Sequence, residues 1–229
     1  MSSRGNGRSD ILRIFFPERC VFCGSLLSPS QEFVCESCAE KLSFLHIRRE
    51  LMAGPEKRKL ICRAPFAYEG LVRDGILSFK FRGKEESFRG LSLLLAKELS
   101  KDACRWDIVT NVPVSSKRRR ERGFDQSQRL AKETARNLHI PYEPLLVKHR
   151  DTRPQHTLSE EERRINLKGA YSLKWRKSAA EKKILLIDDV VTTGSTLLEC
   201  ASVLLNAGVS SVECAALASA EKCIPDIAE

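Results

Sequence analysis

The sequence predicts an α/β fold, a parallel sheet flanked by helices, with a small four-cysteine module ahead of it. Three observations carry that prediction. Past about residue 60, short β-rich apolar runs alternate with amphipathic helical patterns, the order expected of βαβ units. Ile184, Leu185, Leu186 and Ile187 form an unbroken apolar run, as in a strand covered on both faces. Cys20, Cys23, Cys35 and Cys38 fall into two C-x2-C pairs near the start of the chain.

At 229 residues the chain holds one medium domain plus an appendage too small to fold on its own core unless stapled. With 30% charged and 42% hydrophobic residues, its composition is that of a globular protein and excludes overall disorder. Lys and Arg number 39 against 30 Asp and Glu, a formal charge of +9. That balance favours acidic partners, nucleic acid and phosphorylated metabolites alike.

Taken in order, residues 1–16 are expected to form a tail and a short apolar segment. The apolar run Ile11 to Phe16 is interrupted by Arg13 and stopped by Pro17, too short for a signal sequence. No run approaches the length of a membrane-spanning helix. No membrane insertion is therefore expected, and a cytoplasmic location follows. There thiols stay reduced, so the nine cysteines are expected to be metal ligands and small buried residues rather than disulfides.

Residues 17–53 are expected to be the four-cysteine module. Eleven residues separate Cys23 from Cys35, so two thiolate pairs can close a tetrahedral Zn²⁺ site. Phe22, Leu26, Leu27 and Phe33 are too few to fold such a segment alone, and metal binding would supply the missing free energy. Four protein ligands leave no open position, so the zinc is expected to be structural. A redox C-x2-C or a set of unrelated buried thiols would also give closely spaced cysteines. Residues 54–60, polar and containing Pro55, are the expected linker, with the α/β domain over residues 61–229.

Within that domain, strands are expected at residues 108–112, 145–148, 183–187 and 212–218. Phe88, Leu91, Leu94, Leu95 and Leu99 recur at helical spacing, as do Leu197, Leu198, Ala201, Leu204 and Leu205, the second set stopping at Gly208. Asp125 with Gln128 three residues later resembles a capping box opening a helix to about Leu138.

The most informative stretch follows the apolar strand. Asp188 and Asp189 would lie at the carboxyl end of the strand, where open α/β sheets bind ligands. Two acceptor-only carboxylates suit the vicinal hydroxyls of a ribose. Thr192, Thr193, Gly194, Ser195 and Thr196 then let successive backbone N–H groups wrap a phosphate at the start of a helix, with Gly194 permitting close approach. Paired aspartates could instead be a Walker B element, but no G-x4-G-K-[ST] partner exists in the chain. A phospho-acceptor pocket or a solvated turn would also accommodate two adjacent aspartates.

After the strand at 108–112 come Val114, Ser115, Ser116 and Lys117, then Arg118, Arg119, Arg120 and Arg122. Five cations within six residues can offset a pyrophosphate or track a nucleic-acid backbone. A nuclear-targeting or solvated charge run would have the same composition.

ILLIDDVVTTGST resembles the ribose 5-phosphate signature of type I phosphoribosyltransferases over all its 13 positions, residues 184–196. Cys20, Cys23, Cys35 and Cys38, Phe79-Lys80-Phe81 with Gly83, Arg122-Gly123-Phe124-Asp125-Gln126, and Arg150-x-Thr152-x2-Gln155-x2-Leu158 with Arg163, Asn166 and Tyr171 resemble the ComF family of competence proteins. Asp125 departs from the usual asparagine of that family.

The resemblance implies a zinc-ribbon-like module on a type I phosphoribosyltransferase-like domain that binds phosphoribosyl pyrophosphate. Asp188 and Asp189 would hold the ribose and, directly or indirectly, Mg²⁺. Thr192 to Thr196 would hold the 5-phosphate and Val114 to Lys117 the pyrophosphate. Arg150 and Arg153, in a mobile loop that also contains His156, would close over the ligand. Two functions fit: handling of incoming single-stranded DNA in natural transformation in the bacterial cytoplasm, with a ComF-operon helicase or recombination mediator as partner, or transfer of ribose 5-phosphate to a nitrogen acceptor with release of pyrophosphate. In the second, Asp189, Arg150 and Arg153 are the candidate catalytic residues. The segment after Ala218 contains no aromatic to stack an acceptor base, which favours the DNA role, although residues 61–85 could supply such a hood.

Overall fold

The computed structural model describes residues 18–53, 58–82, 85–101, 105–152, 162, 166–174 and 179–221, with backbone alone for 79–82, 85–87 and 122. Its elements are α1 (Glu36–Ala39), β1 (Ile47–Ala53), β2 (Arg58–Ala64), β3 (Phe66–Ala67), α2 (Gly70–Arg82), α3 (Glu85–Leu99), β4 (Ile108–Asn111), α4 (Ser116–Arg122), α5 (Gln126–Leu138), β5 (Leu146–Lys148), β6 (Tyr171–Leu173), β7 (Lys183–Val191), α6 (Ser195–Asn206) and β8 (Ser211–Ser219). One six-stranded sheet runs β1-β2-β8-β7-β4, with β3 pairing β8 beyond the end of β2. Pairing is parallel throughout except between β1 and β2, and β5 and β6 form a separate antiparallel pair.

Side-chain alternation along β7 sets the layers. Ile184 and Leu186 pack on one face with Leu197, Cys200, Ala201 and Leu204 of α6 and with the β5–β6 pair. Leu185 and Ile187 pack on the other, with Leu91 and Leu95 of α3 and Leu130 and Ala131 of α5. Covering both faces is what an uninterrupted apolar strand requires.

The cysteine module docks on this second layer: Cys20, Val21, Phe22 and Cys38 are buried in the same cluster as α3 and α5. Two helical glycines make room for it. A Cβ on Gly75 would lie 2.7 Å from Phe22 Cδ1, and one on Gly90 would lie 2.6 Å from Val21 Cγ1 and 2.8 Å from Phe33 Cβ. A glycine costs a helix about 1 kcal/mol relative to alanine, and close packing of the module offsets it here.

Several expectations are revised. Residues 58–60, placed in a linker by their charge, begin β2, which pairs with β1 along its whole length. The strands on either side of the expected boundary, β1 and β2, therefore pair with each other in the main sheet, residues 54–57 lying outside the described residues. The strand expected at 145–148 forms as Leu146–Lys148 but joins β6 instead of the parallel sheet. β7 extends four residues beyond Ile187, to Val191, because Val190 and Val191 continue the pairing with β8. Helix α5 begins at the expected cap, the Asp125 side chain accepting the Gln128 N–H, and ends at Leu138. No helix among the described residues is long and apolar enough to cross a membrane.

Candidate ligand-binding site

The carboxyl ends of β4 and β7 open into a cavity of about 450 Å³, within the usual range for small-molecule sites of about 300–1,000 Å³. Asp188, Asp189, Val190 and Val191 form its floor from β7, and Thr192, Gly194, Ser195, Thr196 and Leu197 carry the wall into α6. Gly194 caps that helix in the left-handed region, φ 79°, which turns the chain sharply from strand to helix. Thr193 Oγ1 meets Ser195 Oγ at 2.8 Å.

A second wall comes from the β4–α4 connection and the start of α5: Val112, Pro113, Val114, Arg118, Gln126 and Ser127. Two carboxylates hold it in place. Asp125 accepts the N–H of Val114 at 3.1 Å as well as that of Gln128 at 2.9 Å, and its burial raises its pKa. Asp188 Oδ1 accepts Ser127 Oγ and the N–H of Asp189, each at 2.8 Å. Ser115, buried, caps α4 by accepting the Arg118 N–H at 3.4 Å, which leaves the Arg118 side chain facing the cavity.

Lys148 and Tyr171, the facing ends of the β5–β6 pair, close the third side. Lys148 is only 9% exposed, donates to Thr152 Oγ1 at 2.9 Å, and holds its ammonium 5.1 Å from the centre of the Tyr171 ring. Burial, reinforced by Arg118, lowers its pKa to about 8 against the opposing pull of Asp188 and Asp151. Two cations facing one cavity beside acidic oxygens and hydroxyls are chemically suited to an anionic polyol.

In the module, the Sγ atoms of Cys20, Cys23, Cys35 and Cys38 all lie within 4.8 Å of one another, with Cys23 and Cys35 at 3.6 Å. A tetrahedral zinc with bonds of about 2.3 Å separates its sulfurs by roughly 3.8 Å, so the arrangement fits that ion. The described cysteines are all free thiols; Cys104 and Cys223 lie outside the described residues.

Comparison with known proteins agrees with both halves. Residues 125–228 match the phosphoribosyl transferase domain and residues 11–64 the double zinc ribbon domain. Over 227 residues the chain is 30% identical to competence protein F of Haemophilus influenzae, covering 90% of this chain and 99% of that protein. The chain belongs to the competence protein F family. DNA utilization protein YhgH of Escherichia coli K12 is 32% identical over 85% of this chain and 87% of its own length, and competence protein ComFC of Bacillus subtilis 28% over 80% and 82%.

Of the site residues expected for this family member, the cavity gathers Asp188, Asp189, Thr192, Gly194, Ser195, Thr196 and Val114. Thr193, Ser115, Ser116 and Lys117 are not on its wall. Arg118, expected among the nucleic-acid residues, is on it, whereas Lys117, Arg119 and Arg120 are not, and all three of these are exposed. Arg150 is also exposed and donates to the Lys168 carbonyl at 2.9 Å, away from the cavity wall. Arg153, His156, Gln155, Leu158, Arg163 and Gly83, and the side chains of Phe79, Lys80, Phe81 and Arg122, lie outside the described residues.

Lys148, Tyr171, Gln126, Ser127 and Tyr68 line the cavity without having been expected there. The cap at Asp125 is the available signal for Gln126 and Ser127, since it places them in a helix's first turn. Lys148 ends an expected strand, the position where ligand contacts concentrate.

Proposed function

We propose that the chain binds phosphoribosyl pyrophosphate in this cavity and, in that state, handles single-stranded DNA entering a bacterial cytoplasm during natural transformation. The observation that carries the ligand is the convergence, on one cavity, of a carboxylate pair, a hydroxyl-rich turn into α6 and the two cations Arg118 and Lys148. The carboxylates accept the ribose hydroxyls. Residues 192–196 take the 5-phosphate with backbone N–H groups and hydroxyls, and Arg118 and Lys148 offset the pyrophosphate.

Mg²⁺ suits this donor set, because it binds through one or two carboxylates plus ligand phosphates and retains several waters. Asp188 and Asp189 would hold it, and it would supply charge neutralisation for the pyrophosphate oxygens. Arg150 and Arg153 remain candidates to close over the ligand once it is present.

The DNA role rests on family membership, since relatives are named for competence and DNA utilization. It is supported by the cations Lys117, Arg119 and Arg120 on α4, which lie off the cavity wall while their neighbour Arg118 faces it. A helicase or recombination mediator is the expected protein partner.

Tyr68 supports a second reading. It stands on the cavity wall just ahead of α2, where an aromatic ring can stack an acceptor base. Transfer of ribose 5-phosphate to a nitrogen nucleophile would then displace pyrophosphate, with Asp189 beside the reacting sugar.

Equilibrium binding of labelled phosphoribosyl pyrophosphate with and without Mg²⁺ tests the first reading, with ribose 5-phosphate and pyrophosphate as separate competitors. Competition by both places both ends of the ligand in the site, and competition by neither contradicts the assignment. Pyrophosphate release that requires a nitrogen base would establish the second reading.

A further inference from the structure

Strand β1 turns Ile47, Arg49, Leu51 and Ala53 inward and Arg48, Glu50 and Met52 outward. An arginine on an otherwise apolar inward face is costly unless its donors find acceptors. Arg49, 6% exposed, finds three: Nη1 donates to the Thr192 carbonyl at 2.5 Å and to Ser219 Oγ at 3.4 Å, and Nη2 meets Glu221 Oε2 at 2.6 Å.

Two residues along the same strand, Leu51 lies under Gly194. A Cβ built on Gly194 would come within 2.8 Å of Leu51 Cδ2 and 2.9 Å of Cδ1. Inward neighbours on β1 therefore touch both residue 192 and residue 194, and neither Arg49 nor Leu51 lines the cavity.

The chemistry of an anion-binding turn gives these contacts a purpose. Such a turn must present N–H groups to its ligand and keep carbonyl oxygens, which repel anions, directed elsewhere. Arg49 occupies the Thr192 carbonyl with a charge-assisted hydrogen bond, while Glu221 pairs its other terminal nitrogen and holds the guanidinium in place. Leu51 packs against the space that Gly194 leaves open.

We propose that Arg49 is a positioning residue for the turn formed by residues 192–196, with Leu51 as its packing partner, so that ligand affinity depends on strand β1. This rests on the reading that the turn takes the ligand's 5-phosphate. The parallel sheet delivers the chain to Val191; β1 then sets the direction of the carbonyl that follows.

The test uses the full chain with zinc bound and the variants Arg49→Met, Arg49→Lys and Leu51→Ala. Affinity is read by titration with phosphoribosyl pyrophosphate and Mg²⁺. Hydrogen exchange of the peptide spanning residues 191–197 is read without ligand, against a β4 peptide as internal control. Arg49→Met should weaken affinity about tenfold or more, as expected for loss of a charge-assisted bond. It should speed exchange in the turn but not in β4, with zinc content and circular dichroism unchanged. Arg49→Lys, which keeps one donor to Thr192, should recover part of both effects, and Leu51→Ala should show a several-fold loss of affinity with faster exchange.

Affinity within about twofold of the intact chain and unchanged turn exchange in Arg49→Met would overturn the proposal. If Arg49→Met does not fold, Leu51→Ala decides by the same two readouts. If the intact chain fails to bind phosphoribosyl pyrophosphate, the proposed function falls, and turn exchange alone decides whether Arg49 positions the turn.

Discussion

Ser127 Oγ donates a 2.8 Å hydrogen bond to Asp188 Oδ1, joining the first turn of α5 to the acidic end of β7 across 61 positions of sequence. The same carboxylate oxygen accepts the N–H of Asp189, so Asp188 is oriented from two directions. Ser127→Ala removes one of them. Affinity for phosphoribosyl pyrophosphate should fall about five- to tenfold while stability changes by about 1 kcal/mol, the scale of a single hydrogen bond. Calorimetric titration and urea denaturation of the same variant check the two halves.

Lys148 gives the site a pH dependence. Its pKa is lowered to about 8 in the folded chain from an ordinary value of 10.5, so the unfolded state holds more protons between those values. Stability should therefore rise with pH across that window. Ligand affinity should do the opposite, because an anionic ligand favours the protonated amine: flat below about pH 8, then falling by up to tenfold for each unit above it. Lys148→Met should bind weakly and lose this dependence, while Lys148→Arg should bind without it. Titrations from about pH 7 to about pH 9.5, spanning the lowered pKa, separate the three.

Gly90→Ala sets two effects against each other. Alanine favours an exposed helix by about 1 kcal/mol, yet its Cβ would stand 2.6 Å from Val21 Cγ1 and 2.8 Å from Phe33 Cβ. Overpacking typically costs about 1–3 kcal/mol, so the variant should be less stable than the parent. Chemical denaturation reads the sign.

Removal of the metal should reach beyond the module. Val21 and Phe22 share a buried cluster with Ile76 of α2 and Leu91 and Leu95 of α3. Cys35→Ser or chelation should therefore raise hydrogen exchange in α2 and α3 as well as in the segment between Cys20 and Cys38. Exchange confined to that segment would argue against a shared core.

The basic helix α4 should divide by face. Lys117→Ala with Arg120→Ala should lower the slope of log affinity against log salt for single-stranded DNA by about 0.7 per lost phosphate contact, leaving ligand titrations unchanged. Arg118→Ala should weaken the ligand instead. Salt-dependent fluorescence anisotropy with an oligonucleotide distinguishes them.

What is legible in the sequence is contiguous. Residues 184–196 carry strand, carboxylates and turn in one run, and the four cysteines announce their geometry by spacing. Asp125 reads as a cap and acts as one. What stays hidden comes from distant segments brought together by folding: Lys148 and Tyr171 reach the cavity only because β5 and β6 pair over it. Strand β1 is obscured because Arg49, whose acceptors lie 143 and more residues away, interrupts its apolar alternation. The charge of Arg58 and Lys59 likewise disguises the start of β2. In each case a polar residue sits where pairing or a tertiary partner, not local pattern, decides the structure.

The central claim is that the carboxylates and the turn form one receptor for phosphoribosyl pyrophosphate. Isothermal calorimetry of the zinc-loaded chain with this ligand and Mg²⁺ should show saturable one-to-one binding, abolished in an Asp188→Ala, Asp189→Ala double variant that keeps its zinc and its circular dichroism. Absence of binding to the intact chain, or equal binding to the double variant, would contradict it.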